Sequence, residues 1–152
     1  MKKNIKTNSR RETQALGASF GALLLSASLP KRHALVVKLE GELGSGKTTF
    51  VQGVAKGLRI KEKILSPTFV IIKVYKLQTK NYKLLYHIDC YRIKDEHDLL
   101  ALGWDKIVSD PRNLVFIEWL ERVRKILPQN TISISFETIK SSKSPARKIT
   151  FP

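Results

Sequence analysis

Gly41-Glu-Leu-Gly-Ser-Gly46-Lys47-Thr48 fits the spacing G-x-x-x-x-G-K-[ST]. It stands between an apolar run, Ala34 to Glu40, and a stretch in which Phe50, Val51, Val54, Ala55 and Leu58 recur at helical spacing. A strand that feeds a glycine-rich turn and then a helix leaves few architectures open. The glycines let the backbone curl tightly and turn its N–H groups inward. The new helix points the positive end of its dipole into the curl. Such a loop is a phosphate cradle. Gly44, Ser45, Gly46, Lys47, Thr48 and Thr49 are the residues expected around the anion, with Lys47 on the outer phosphates and the Thr48 hydroxyl on an accompanying Mg²⁺.

The remaining segments are consistent with that start. Phe69 to Tyr75 is β-branched and predicts a strand, Gln78 to Asn81 a hairpin-like break, and Tyr82 to Ile88 its return strand. Asp95 caps a short expected helix that ends at Gly103. Leu114 to Ile117 predicts a buried strand, Thr131 to Phe136 a half-exposed one, and Lys148 to Phe151 a last edge strand. Strand–turn–helix mixed with hairpins implies an α/β fold: a single P-loop NTPase domain over residues 9–137, its mixed, partly parallel sheet flanked by helices. Residues 1–8 and 138–152 are expected as basic tails.

The first thirty residues hold competing signals. Lys2, Lys3 and Lys6 precede an apolar stretch, and Ser9-Arg10-Arg11 resembles a twin-arginine start. Polar Glu12, Thr13 and Gln14 follow the arginines, however, and Ser9-x-x-Glu12 is a capping box. Leu16, Phe20, Leu23, Leu24 and Ala27 then recur at helical spacing. The reading is an amphipathic helix stopped at Pro30, not a leader. No apolar run reaches the ~18 residues of a membrane helix. One cysteine, Cys90, excludes an internal disulfide framework and suits a reducing, cytoplasmic setting; with only three histidines it also excludes a thiolate-rich zinc site.

The formal charge is +15. Residues 1–11 and 138–152 hold nine of the basic groups and no acid. Such runs are commonly solvated faces, and they also suit a surface for RNA or an acidic partner.

A Mg²⁺–nucleotide site needs carboxylates beyond the ends of its strands. Two apolar runs close on an acid: Leu84 to Asp89 and Leu114 to Glu118. Either is placed to hold the Mg²⁺ shell, directly or through water. His87 reads as a structural hydrogen-bonder near Asp89, and Cys90 as buried and inert. No Asn-Lys-x-Asp segment is present to read guanine, which favours ATP. Two other functions use the same features. A small P-loop kinase would employ Arg122 and Arg124 on a lid, and a basic RNA-binding module would carry the loop as a degenerate nucleotide site. Phosphate transfer to a nucleoside identifies the first, and salt-dependent tRNA binding indifferent to Lys47→Ala the second.

Five segments together resemble one family. They are Glu12-Thr13…Leu16-Gly17, Gly41 to Thr49, Ser66-Pro67-Thr68-Phe69, His87-Ile-Asp89-Cys-Tyr91-Arg92 and Ile117-Glu118-Trp119. In this order and spacing they are similar to the TsaE (formerly YjeE) family, bacterial ATPases of tRNA threonylcarbamoyladenosine biosynthesis. The resemblance implies an ATP/ADP-binding, Mg²⁺-dependent ATPase, slow alone. It would work with the TsaB–TsaD heterodimer, which transfers a threonylcarbamoyl group from the adenylate made by TsaC to N6 of adenosine 37 in ANN-decoding tRNAs. Any tRNA contact would come through that complex. By the same resemblance Thr48, Asp89 and Glu118 serve Mg²⁺ or catalysis. Trp119 becomes a functional aromatic beside the nucleotide, and Ser66 to Thr68 a switch-like loop near the γ-phosphate, with Thr68 its acting residue. Glu42 stands where the family usually has Asp.

Overall fold

A computed structural model describes residues 1–27, 32–140 and 145–152. The strands are β1 Lys3–Thr7, β2 Leu35–Glu40, β3 Ile72–Lys76, β4 Leu84–Asp89, β5 Asn113–Glu118, β6 Ile132–Ile139 and β7 Ala146–Phe151. The helices are α1 Arg10–Ser26, α2 Lys47–Gly57, α3 Glu96–Ala101 and α4 Trp104–Ser109, with a 3-10 turn at Arg124–Ile126. The strand order is β1-β7-β6-β2-β5-β4-β3. β4 and β5 are parallel, while β1–β7, β3–β4 and β6–β7 are antiparallel. The fold is the expected α/β type with a mixed sheet. The two end strands carry Lys3 and Lys6 on β1 and Lys73 and Lys76 on β3. Lysines on an edge discourage pairing with another chain, so part of the basic excess has a structural use. The chain divides into two compact units.

The first unit comprises Met1–Ala27, Leu39–Leu65 and Ser133–Pro152. Its helix α1 starts as the capping box predicts. Ser9 Oγ accepts from Glu12 N at 3.1 Å, the forward half of the box, while the Glu12 carboxylate reaches one residue past the cap and accepts from Asn8 N at 2.7 Å. The expected stop at Pro30 lies outside the described residues, and α1 itself ends at Ser26. The stretch expected as an N-terminal tail is instead strand β1, paired with β7 from Lys3↔Phe151 to Thr7↔Arg147. Residues 146–151 are likewise strand, and β1 covers β7, so β7 is not the edge.

Helices α1 and α2 meet through glycines. A methyl group at Gly17 would strike the Phe50 carbonyl, at Gly21 the Val54 carbonyl, at Gly53 the Gln14 carbonyl and at Gly57 the Ala18 carbonyl. Backbone lies against backbone there. Beside the contact, Phe50 is fully buried against the rings of Phe20, Phe136 and Phe151. Those aromatics hold the first turn of α2, and with it the phosphate-loop end of the helix. Gly53→Ala should therefore cost about 1–3 kcal/mol or more, the price of overpacking against a backbone that has no rotamer to change. Urea denaturation is the check, and a midpoint equal to the parent's would contradict the close approach.

The second unit comprises Ser28–Lys38 and Ser66–Ile132. Every residue of β5 is buried, the mark of an interior strand. Ile88, Val115, Ile117, Leu99 and Trp104 form its core, and Trp104 Nε1 donates to Ile126 O at 3.1 Å. β3 begins later than expected, at Ile72 rather than Phe69. Val70 N and Ile71 N both donate to Pro67 O, and Ile71 adopts φ 66°, so residues 67–71 are consumed by a turn. Asp95 caps α3 by accepting from His97 N and Asp98 N. Gly103 follows that helix, as expected, but it also starts α4, which the sequence reading lacked.

Candidate nucleotide site

The loop of the first unit has the geometry its sequence requires. Gly44 adopts φ 77° and Gly46 φ 104°, values that side chains rarely tolerate. A Cβ added at Gly44 would meet nothing within 4 Å, so the loop leaves open space on that side. Lys47 opens α2 and is 5% exposed. Its ammonium donates to Gly41 O at 2.6 Å and Glu42 O at 3.0 Å, which holds the charge within the loop. Ser45 is 1% exposed, and its hydroxyl has no hydrogen-bond partner among the described residues. Thr48 and Thr49 are half-buried in the first turn of α2. From β7, Arg147 lies against the loop: a Cβ on Gly46 would come within 2.7 Å of its Nε, an atom that also lacks a partner among the described residues. Orphaned polar atoms, a buried ammonium and a helix N-terminus fit a polyphosphate.

The acids lie in the second unit. Asp89 and Glu118 end the parallel strands β4 and β5, and they are direct partners in the register. Both are buried, at 3% and 4% exposed. The Asp89 carboxylate accepts from Thr68 Oγ1 at 2.8 Å and from Tyr91 N at 2.9 Å, one bond to each oxygen. The Thr68 hydroxyl also lies 2.8 Å from Ser66 Oγ. The Ser66–Thr68 segment is thus tied to Asp89, a link between two motifs that are 21 residues apart. Glu118 Oε1 lies 2.7 Å from His87 Nε2. His87 is a structural hydrogen-bonder as expected, but its partner is Glu118, not Asp89. His87 Nδ1 is buried without a partner among the described residues. An ionised carboxylate only accepts, so Nε2 is the donor of the pair. Among the described residues no three His, Cys, Asp or Glu side chains cluster as a metal site. Mg²⁺ takes one or two carboxylates together with phosphate and water oxygens, so a pair of acids suits it.

Trp119 follows Glu118 at φ 58°, a left-handed conformation for a bulky residue. Strain of this kind costs on the order of 1–3 kcal/mol and concentrates at functional positions. Its ring meets Tyr91 edge-on at 5.4 Å, and both line a cleft with Cys90, Glu121 and Arg122. Arg122 donates to Ile93 O at 3.1 Å, which fastens it to its own unit.

Cys90 is buried, as expected. Burial first, then the charges of Asp89 and Glu121, push its thiol up to about 12 from the usual 9.0. Burial alone raises Tyr82 to about 12. Both groups are acids whose neutral form the fold favours, so their stabilising effect is lost as pH rises from about 9 towards 12. At pH 8 the thiolate fraction of Cys90 falls about 10³-fold below that of the unfolded chain, since each pKa unit is tenfold. Iodoacetamide should leave the native thiol unlabelled over a period that fully alkylates the urea-unfolded protein. Equal rates would contradict the burial.

A family profile described as "Threonylcarbamoyl adenosine biosynthesis protein TsaE" matches residues 7–149. The chain belongs to the TsaE family. The protein of Treponema pallidum named tRNA threonylcarbamoyladenosine biosynthesis protein TsaE is 38% identical to it over 133 residues, 88% of this chain and 90% of that one. The Bacillus subtilis protein of the same name is 40% identical over 116 residues, 76% of this chain and 68% of its own. A crystal structure of Bacillus subtilis YdiB superposes with a TM-score of 0.72 at 30% identity, covering 99% of this chain and 84% of that one.

Two features of the TsaE-type chain escaped the sequence reading. A lone arginine in a basic C-terminal stretch gives no hint that Arg147 lies on Gly46. The His87–Glu118 pair joins adjacent strands across 31 residues of sequence, although the H-x-D and I-E-W segments each marked one member.

Proposed function

We propose that this protein is a Mg²⁺-dependent ATPase of tRNA threonylcarbamoyladenosine biosynthesis that supports the TsaB–TsaD heterodimer in modifying adenosine 37 of ANN-decoding tRNAs. Family membership supports the pathway. The observation that carries the ATPase reading is the Lys47 ammonium, buried and clasped by the carbonyls of Gly41 and Glu42 at the start of α2. In this reading the amides of Gly44 to Thr49 bind phosphate, Lys47 supplies the point charge, and the Thr48 hydroxyl meets the metal. Mg²⁺, when bound, neutralises charge on the phosphate oxygens. Asp89, fixed by Thr68 and Tyr91, and Glu118, fixed by His87, are the carboxylates proposed to hold the metal's shell and orient water. Trp119 is the proposed aromatic beside the nucleotide.

The test is ATP hydrolysis by the purified protein, with and without TsaB–TsaD and with and without Mg²⁺. Hydrolysis should be slow alone, faster with the heterodimer and absent in EDTA. Transfer of phosphate to a nucleoside instead of water would sink the reading.

Thr68 offers a sharper measurement. Its hydroxyl is the donor to Asp89, and Pro67 restricts Ser66 before it. Thr68→Val keeps the volume and deletes the hydroxyl. We expect it to spare folding and ADP binding yet reduce the TsaB–TsaD-stimulated rate by roughly tenfold or more, the worth of one charge-assisted hydrogen bond. Equal stimulation of parent and variant would remove Thr68 from the mechanism.

A further inference from the structure

Arg147 has no role in the function proposed above, yet it lies on the loop that function depends on. It sits in the middle of three paired strands, opposite Thr7 of β1 and Thr138 of β6. Its guanidinium crosses Gly46, the residue that caps α2 and precedes Lys47. A Cβ on Gly46 would lie 2.7 Å from Nε, 2.8 Å from Cδ and 3.7 Å from Cζ. Gly46 is glycine for its φ of 104°, and a Cβ there would also displace the arginine side chain packed on it. The polar contact of that guanidinium among the described residues is a long one, Nη1 to Pro145 O at 3.4 Å. Among the described residues the buried Nε has no hydrogen-bond partner and no carboxylate pairs with Arg147.

This is an electrostatically awkward arrangement. A guanidinium is always charged and presents its donors as a planar fork. Here it shares one loop with the Lys47 ammonium and the positive end of α2, and like charges so placed repel. The Ser45 hydroxyl, also buried and unpartnered, adds a further unused polar group to the same loop. A multiply charged anion resolves all of these at once, and a guanidinium fork matches phosphate oxygens in pairs.

We infer that Arg147 is a phosphate-binding residue of the loop, pairing with the diphosphate of the bound nucleotide from β7. The inference rests on the nucleotide reading above and adds a ligand contact from a part of the chain that carries no recognisable motif.

Calorimetric titration of the full-length protein with MgADP, and separately with inorganic pyrophosphate, tests it on Arg147→Gln and Arg147→Lys. Arg147→Gln should weaken both ligands by a similar factor, roughly 10- to 100-fold, as expected for a lost charge-assisted bond. Arg147→Lys, which keeps the charge and loses the fork, should fall between. The thermal midpoint without ligand should stay at or above the parent's, since a repelled charge is removed, while the increment produced by ADP shrinks. A purely structural arginine would lower the first and spare the second, and that result would overturn the assignment. So would ADP binding weakened with pyrophosphate untouched, since the arginine would then read base or ribose. If Arg147→Gln does not fold, Arg147→Lys decides, and parental affinity for both ligands rejects the inference. A parent that binds ADP while both variants bind it equally well overturns this role alone. A parent that binds neither ligand overturns the nucleotide reading itself.

Discussion

Lys47→Ala should lower the affinity for ADP and ATP by roughly 10- to 100-fold, the scale of a hydrogen bond to a charged group in a water-poor site. Hydrolysis with TsaB–TsaD should fall further, by about 10²–10³-fold, because charge stabilised only in the transition state is lost as well. The carbonyls of Gly41 and Glu42 clasp the ammonium. They place the charge before any ligand arrives, so little side-chain entropy remains to be lost on binding. The amide cradle survives the substitution, and residual binding is therefore expected. Fluorescence titration and steady-state hydrolysis measure the two effects. A variant that hydrolysed ATP at the parental rate would show that the loop is not the working site.

Asp89→Ala and Glu118→Ala should each abolish detectable hydrolysis while ADP binding persists, a difference of about 10³-fold or more in rate. The two substitutions differ in what they leave behind. Asp89→Ala frees the Thr68 hydroxyl and the Tyr91 amide and so loosens the Ser66–Thr68 segment. Glu118→Ala leaves a fully buried histidine without its acceptor, a loss worth about 1–3 kcal/mol in stability. Glu118→Gln keeps an acceptor for His87 and should restore stability without restoring hydrolysis. Circular dichroism beside the ATPase assay separates these outcomes. A folded Glu118→Gln protein with the parental rate would take Glu118 out of the chemistry, and an unfolded Asp89→Ala protein would make that acid structural.

The elements legible in the sequence are those whose cause is local. The phosphate loop, the Ser9 capping box and the Asp95 cap each declare themselves within a few residues, because hydrogen-bond geometry fixes both spacing and residue type. Asp89 and Glu118 were visible as acids at the ends of apolar runs. β1 was not visible, since Lys3-Asn-Ile-Lys-Thr7 holds a single apolar residue and becomes a strand only by pairing with β7 at the other end of the chain. α4 was hidden because the glycine that follows one helix also caps the next. The positive φ of Ile71 and Trp119 runs against residue preference, and tertiary context imposes it. The packing of Arg147 on Gly46 has the same kind of origin.

The glycine contact between α1 and α2 has a mechanical consequence. Where helices meet through side chains, rotamers can readjust and absorb a small displacement. Where carbonyls of one helix rest on the glycines of the other, that compliant layer is missing, and close-packed interiors transmit displacement with little loss. α2 begins at Lys47, and α1 is tied near its start to β1 by the buried 2.8 Å bond between Thr13 and Thr7. Strain imposed on the phosphate-loop end of α2 is therefore expected to pass to α1 and, through the Thr13–Thr7 bond, to β1: the two helices are built as one stiff beam.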